Sequence, residues 1–205
     1  LPERVRPKTL DDFQGQENLL GKGKPIRLMI EKDVLSSFIL WGPPGTGKTT
    51  IAKIIAENTN SDFYQINAVS SGVKDVREVI NKAKEEKELN KRTILFIDEI
   101  HRFNKSQQDA LLNSVESGLI ILIGATTENP SFEVIPALRS RMRTYVLNEL
   151  NKTHLENILN NAIDTDSFLS QLNIAEVDKD FLIFVSGGDA RILLNIFESA
   201  VIQEM

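Results

Sequence analysis

Phe38-Ile39-Leu40-Trp41-Gly42-Pro43-Pro44-Gly45-Thr46-Gly47-Lys48-Thr49 is the stretch on which the fold turns. Its first four residues read as a short buried strand, the next eight fit the pattern G-x-x-x-x-G-K-S/T, and Thr49 to Asn58 reads as a helix. The glycines let backbone N–H groups turn inward around a phosphate, and the N-terminus of the following helix adds a favourable dipole. Lys48 can then reach the β and γ phosphates of a nucleotide, and the Thr49 hydroxyl can ligate Mg²⁺. A Gly/Pro turn with a solvated lysine shares the composition but does not supply both flanking elements. Gly42, Pro43, Pro44, Gly45, Thr46, Gly47, Lys48, Thr49 and Thr50 are therefore the expected nucleotide-binding run, with ATP as the expected ligand.

Outward from this loop, apolar β-rich runs alternate with amphipathic stretches. Strands are expected at Phe38 to Trp41, Phe63 to Asn67, Thr93 to Ile97, Ile120 to Gly124 and Thr144 to Leu147. Several are apolar without alternation, as strands covered on both faces are. Between them Val73 to Glu88, Ser106 to Glu116 and Glu133 to Arg139 read as helices, with Ser106 and Asp109 as a capping box. The pattern predicts an α/β fold: a P-loop core with a five-stranded parallel sheet flanked by helices. After Leu150 the strand signals stop. Lys152 to Ile163, Lys179 to Val185 and Asp189 to Ile202 look helical, so residues 151–205 are expected to form a small α-helical domain after a core of residues 1–150.

Ile94-Leu95-Phe96-Ile97-Asp98-Glu99 is an apolar strand ending in two carboxylates, and open α/β sheets bind ligands beyond such strand ends. Asp98 would join Thr49 in the Mg²⁺ shell, while Glu99 would orient or deprotonate the water that attacks the γ-phosphate. Two surface acids in a loop are the bland alternative. Composition narrows the chemistry further. The 205 residues contain no cysteine, which excludes disulfides and thiolate sites, and only two histidines far apart in sequence, which argues against a histidine-built metal or triad site. Lys and Arg number 24 against 29 Asp and Glu, for a net charge of −5. Residues 1–150 carry 21 basic and 20 acidic side chains, whereas 151–205 carry 3 and 9. That distribution argues against a polycation but leaves room for local basic patches facing nucleic acid. The longest apolar run, Leu119 to Ala125, is far short of the roughly 18 residues that a span requires, so no membrane association and a cytoplasmic location are expected.

At this point the chain resembles an AAA+ ATPase, and more narrowly the replication-associated recombination protein A family, relatives of the clamp loaders. The resemblance is carried by Arg4-Val5-Arg6-Pro7-Lys8-Thr9-Leu10-Asp11-Asp12-Phe13 with Gly15-Gln16, by the two motifs above, by Asp98-Glu99-Ile100-His101-Arg102-Phe103-Asn104-Lys105-Ser106-Gln107-Gln108-Asp109, and by Gly124-Ala125-Thr126-Thr127-Glu128-Asn129-Pro130-Ser131-Phe132. It implies that Arg4, Pro7, Gln14, Gly15 and Gln16 line the adenine pocket. Thr127 would contact the γ-phosphate or the water, as the sensor 1 residue, or else simply cap a loop. Ser140-Arg141 matches the motif whose arginine acts as a finger on a neighbour's ATP, although Arg139, Arg141 and Arg143 together could also be a solvated or phosphate-binding cluster. Arg191, in Gly188-Asp189-Ala190-Arg191, matches the sensor 2 arginine of the lid helix. A cation at a helix start opposes the dipole and so suggests an anionic partner. Asn67 matches a residue that can hold the catalytic Glu inactive, and is equally a turn residue. His101 and Phe103 read as structural or interface residues. Lys74, Arg77, Arg102 and Lys105 are either DNA contacts or a solvated charged face.

The resemblance further implies DNA with single-stranded regions, ends or forks, single-strand DNA-binding protein, and further copies of the chain as partners. The chain begins without methionine and ends in a helical pattern at Met205, so it reads as a fragment, ATPase core plus lid, lacking an oligomerisation domain. Two other readings stay open: a clamp-loader-type assembly module with incidental turnover, and a Holliday-junction branch-migration motor. The Asp98-Glu99 pair counts against the first, and the Glu128-Asn129-Pro130 continuation against the second.

Overall fold

The computed structural model describes residues 1–172, 174 and 177–203. Two short helices, α1 (Glu17–Leu20) and α2 (Pro25–Glu31), lead into β1 (Phe38–Trp41), α3 (Lys48–Asn58), β2 (Ser61–Asn67), α4 (Val73–Glu88), β3 (Arg92–Asp98), a 3-10 turn at Ile100–Arg102, and α5 (Lys105–Glu116). There follow β4 (Ile121–Thr126), the single turns α6 (Pro130–Glu133) and α7 (Pro136–Arg139), β5 (Arg143–Val146), α8 (Lys152–Thr165), a 3-10 turn at Leu169–Gln171, α9 (Lys179–Ser186) and α10 (Ala190–Gln203). The helical pattern expected to reach Met205 passes outside the described residues after Gln203.

The chain divides into two compact units, Glu17–Gly42 with Lys48–Leu147, and Leu1–Gln16 with Pro43–Gly47 and the residues from Asn148 onward. In the first unit the five strands pair in the order β2-β3-β4-β1-β5, all parallel. The middles of the central strands are apolar because both faces are covered. Ile39, Leu95, Ile97 and Leu122 pack with Val76, Val79 and Leu111 from α4 and α5. Their sequence neighbours Phe38, Leu40, Ile94 and Phe96 alternate to the other face and are equally buried. On the order of 1.5–3 kcal/mol accompanies each such side chain. The edge strand β5 is more open: Arg143, Thr144 and Val146 are exposed around a buried Tyr145.

Two local expectations are corrected. The capping box of α5 is Asn104 with Gln107, not Ser106 with Asp109: Asn104 Oδ1 accepts the Gln107 N–H at 3.0 Å and Gln107 Oε1 accepts the Asn104 N–H at 2.8 Å. The helix starts one residue earlier than expected, which puts an amide pair at the cap and third positions. The expected helix from Glu133 to Arg139 is two separate turns, because Pro136 disfavours helical geometry at Ile135 and opens a new turn at its own position.

The second unit is built on α8, α9 and α10, whose Leu155, Leu159, Ala162, Leu182, Leu193, Leu194 and Phe197 share one apolar cluster with Leu1 and Leu150. Among the described residues no helix is long and apolar enough to cross a membrane.

Candidate functional site

β3, β4 and β1 are consecutive in the sheet and parallel, so their carboxyl ends stand in one row. That row presents Asp98-Glu99, Thr126-Thr127 and Gly42. The register pairs Asn67 with Asp98 and Trp41 with Thr126, and Gly42 N–H donates to the Thr126 carbonyl at 3.2 Å. Lys48, the first residue of α3, is buried and its Nζ donates to the Gly42 carbonyl at 2.8 Å, so the ammonium is folded back over the start of its own loop. Thr49 and Asp98 are half-buried and Thr50 is buried.

Glu99 follows β3 in the left-handed region, with φ 55° and ψ 43°, a conformation that a glutamate adopts only under constraint. The constraint is visible. Its carbonyl accepts the Arg102 N–H at 2.8 Å, closing the 3-10 turn, and Ile100 packs on Gly124 of β4. The turn brings His101, with a side chain 6% exposed, between the two strand ends: Nε2 lies 3.3 Å from Glu99 Oε2 and Nδ1 lies 2.9 Å from Thr126 Oγ1. The hydroxyl of Thr126 also accepts the Glu128 N–H at 3.0 Å and lies 3.2 Å from the Glu128 carbonyl, to which it can donate. Thr127, the residue expected at the strand end, stands one position beyond it and is half-buried. The sequence did not single out the hydroxyl that the fold engages, Thr126, or the contacts of His101 with Glu99 and Thr126; a paired Thr126-Thr127 and the spacing Glu99-x-His101 were the available signals. Asn67 closes an Asx turn by accepting the Val69 N–H at 2.9 Å.

In the second unit the turn Pro43–Gly47 is shaped by its glycines. Gly45 has φ +71° and Gly47 φ +93°; a Cβ on the first would fall 2.2 Å from Asp189 Oδ1 and on the second 2.4 Å from Phe13 Cζ. Only a residue without a side chain combines that backbone with that contact. Thr46 Oγ1 fastens the turn by donating to the Pro43 carbonyl at 2.9 Å. Asp189 caps α10, accepting the N–H groups of Arg191 and Ile192 at 2.7 and 3.3 Å. Its other oxygen lies 3.7 Å from the Arg191 guanidinium, so a neighbouring carboxylate answers part of the dipole mismatch. Arg191 is otherwise well exposed, 64% by side-chain area.

The N-terminal residues expected around a base are tied down by the same unit. Gln16 gives an amide N–H to the Asn148 carbonyl at 2.8 Å and accepts the Asn148 N–H at 2.9 Å. Gln14 accepts from Asn157 at 3.1 Å, Gly15 is buried against Leu150 and His154, and Pro7 is half-buried. Arg4 Nε donates to Asp166 Oδ2 at 2.7 Å, and its terminal nitrogen to Glu198 Oε1 at 2.8 Å. The Arg4 guanidinium, with the Leu169 and Phe168 N–H groups, holds the buried Asp166 carboxyl down at about 2, and Asp166 and Glu198 in turn raise Arg4 above its ordinary value. Arg4 thus fastens the segment that bears Pro7 and Gln14 to Gln16.

Arg141 donates to the Ala137 carbonyl at 2.6 Å and to Glu116 at 3.2 Å; its side chain is 34% exposed and that of Glu116 61%. Arg139 donates to the Ser131 carbonyl, and Arg143 is exposed at the start of β5.

No group of three or more His, Asp and Glu residues among the described ones could hold a metal by itself. One hydroxyl and one carboxylate, Thr49 and Asp98, fit a hard cation that completes its shell with phosphate oxygens and water, as Mg²⁺ does.

A parallel sheet with a glycine-rich loop running from its β1 into α3, and paired carboxylates at the end of β3, defines a P-loop nucleotide-binding protein. Residues 38–150 match the ATPase family associated with various cellular activities (AAA), and the chain belongs to that family. The expected resemblance within it is borne out. The chain is 45% identical to the replication-associated recombination protein A of Haemophilus influenzae over 98% of its own length and 46% of that protein's. It is 48% identical to the Escherichia coli protein of that name, over 97% of this chain and 45% of the other. The chain thus spans about half the length of these curated relatives. A solved structure of the Thermotoga maritima RuvB Holliday junction branch migration motor superposes with a TM-score of 0.78 at 30% identity, covering 95% of this chain and 64% of that one.

Proposed function

We propose that this chain is the ATP-hydrolysing module of a cytoplasmic DNA-associated machine that acts at stalled forks in replication, recombination and repair. One observation carries the reading: adjacent strand ends present Asp98-Glu99, Thr126-Thr127 and Gly42 in one row, with Lys48 bonded to the Gly42 carbonyl. In this assignment Gly42 to Thr50 cradle the phosphates, and Lys48 leaves the Gly42 carbonyl to neutralise them. Thr49 and Asp98 would hold Mg²⁺, which would supply neutralisation of phosphate charge. Glu99 orients and deprotonates the attacking water, and Thr127 holds the γ-phosphate. Most of the catalysis is positioning and charge stabilisation, as phosphoryl transfer generally requires. Residues 1–150 serve as core and 151–205 as lid, with Arg191 assigned to the γ-phosphate and the segment from Arg4 to Gln16 to the base.

Arg141 is assigned as the finger for a neighbouring copy. Its present partner Glu116 is largely exposed, and such pairs contribute only about 0–1 kcal/mol, so release is cheap beside the 10³ to 10⁵ in rate (order of magnitude) that an arginine finger supplies. DNA with single-stranded regions, ends or forks, and single-strand DNA-binding protein, are the proposed partners. The likeness to the RuvB motor favours branch migration as the second reading. The test uses the full-length protein. Lys48→Ala should lose ATP affinity by calorimetry, whereas Glu99→Gln should bind ATP and not turn it over. Equal affinity in Lys48→Ala and wild type would refute the phosphate-site assignment, and branch migration of synthetic junctions by the wild type would select the second reading.

A further inference from the structure

Building on that assignment of Glu99, the geometry points to His101 as a positioning residue that sets the carboxylate from the end of β4. The imidazole is almost fully enclosed, and each ring nitrogen faces a defined oxygen, Nε2 to Glu99 at 3.3 Å and Nδ1 to Thr126 at 2.9 Å. A carboxylate only accepts, so the nitrogen facing Glu99 carries the proton. In the neutral ring Nδ1 is then an acceptor, and the partner able to donate to it is the Thr126 hydroxyl, whose oxygen meanwhile accepts the Glu128 N–H at 3.0 Å. The proposed order of donation is Thr126 O–H to His101 Nδ1 and His101 Nε2–H toward Glu99; Thr126 Oγ1 also lies 3.2 Å from the Glu128 carbonyl, a second acceptor for the hydroxyl that is farther off than Nδ1 at 2.9 Å. The tautomer follows from the Glu99 carboxylate facing Nε2, and the buried Thr126 hydroxyl, nearer to Nδ1 than to the Glu128 carbonyl, is the donor to Nδ1.

The arrangement explains why a histidine stands here. A single side chain must span from the residue after β3 to the last residue of β4 and be donor at one end and acceptor at the other; neutral imidazole does both in a rigid ring. The 3.3 Å approach to Glu99 is longer than a formed hydrogen bond, and contacts of this kind commonly shorten in the substrate complex. Thr126 is bonded to the residue assigned to the γ-phosphate, so displacement of that strand end is passed by the ring to the group that activates water. His101 touches neither nucleotide nor water in this account.

The experiment measures kcat and KM for ATP in the full-length protein. His101→Asn and Thr126→Val should each lower kcat by about 10- to 100-fold with KM within about twofold, the loss usual when an orienting partner is removed. His101→Gln places an amide N–H near the position of Nε2 and should recover most of the rate, whereas Asn reaches only the position of Nδ1. The double variant His101→Asn/Thr126→Val should be no slower than the worse single one, since both cut the same chain. Thermal melting of each variant separates loss of fold from loss of rate. If Glu99→Gln is inactive while His101→Asn and Thr126→Val turn over at the wild-type rate, or if His101→Gln is as slow as His101→Asn, the role of His101 is overturned and that of Glu99 stands. If Glu99→Gln itself turns over at the wild-type rate, the underlying functional assignment fails instead.

Discussion

The left-handed backbone at Glu99 predicts a reversal of the usual order of glycine and alanine. Glu99→Ala and Glu99→Gly both delete the carboxylate and its approach to His101, so the difference between them reports the backbone alone. At φ 55° an L residue pays about 1–2 kcal/mol for crowding between Cβ and carbonyl oxygen. Glycine escapes that cost but loses about 0.5–1 kcal/mol more chain entropy on folding. Taking the middle of each range, the Glu99→Gly variant should therefore be more stable than Glu99→Ala by about 0.75 kcal/mol. For a chain of 205 residues, that corresponds to roughly 1–4 °C in melting temperature. Thermal unfolding followed by circular dichroism, with nucleotide left out, is sufficient. At a position with ordinary negative φ the alanine variant would melt higher. That result would show that Glu99 is unstrained and that the turn after β3 has been misread. Both variants should be devoid of turnover, which places the strain at a residue whose side chain the chemistry needs.

Two further outcomes follow from ion pairs. Arg4 holds Asp166 at about 2, below the roughly 3.9 of an unfolded aspartate, so the pair contributes in full above about pH 4 and loses its contribution as pH falls toward 2. Arg4→Met should melt below wild type at pH 7 and converge with it near pH 2; a deficit that does not change with pH would refute the assignment, and unchanged nucleotide affinity would confine Arg4 to fastening its segment. For Arg141, full-length Arg141→Ala and Glu99→Gln should each be inactive, yet equal mixing with subunit exchange should restore about a quarter of the interfaces in a head-to-tail assembly. No recovery despite mixed oligomers would mean that Arg141 serves its own subunit or that Arg139 or Arg143 is the finger.

The sheet was legible because burial on both faces forces an unmistakable composition: β1 was expected at its observed bounds and β3 within one residue at each end. The P-loop was legible for a different reason, since glycine spacing, lysine and flanking elements are all local. What escaped was decided by contacts between residues distant in sequence. Thr126 and Thr127 look alike on paper, and only the register with Trp41 buries the first. His101 and Thr126 are 25 positions apart, so no local pattern announces their bond. The hold of Asn148 on the Gln16 amide is of the same kind, since the two residues are 132 positions apart. The α5 cap was missed for a smaller reason: Ser106-Asp109 and Asn104-Gln107 both satisfy the spacing, and the better cap residue prevailed.

Backbone strain separates the site from the rest of the fold. Five described residues other than glycine have positive φ: Gln16, Asp33, Asn60, Asn90 and Glu99. Asp33, Asn60 and Asn90 lie in loops that follow helices, and Asp and Asn tolerate the left-handed region because their short polar side chains bond locally. They are ordinary turn chemistry. Gln16 lacks that excuse, and two hydrogen bonds to the Asn148 backbone hold it there. Glu99 lacks it too, and its side chain approaches a histidine that is itself held from β4. A turn at this position could have been made with asparagine or glycine at lower cost. Retention of a strained glutamate is what a carboxylate needed at that strand end, and oriented from the neighbouring strand, requires of the backbone.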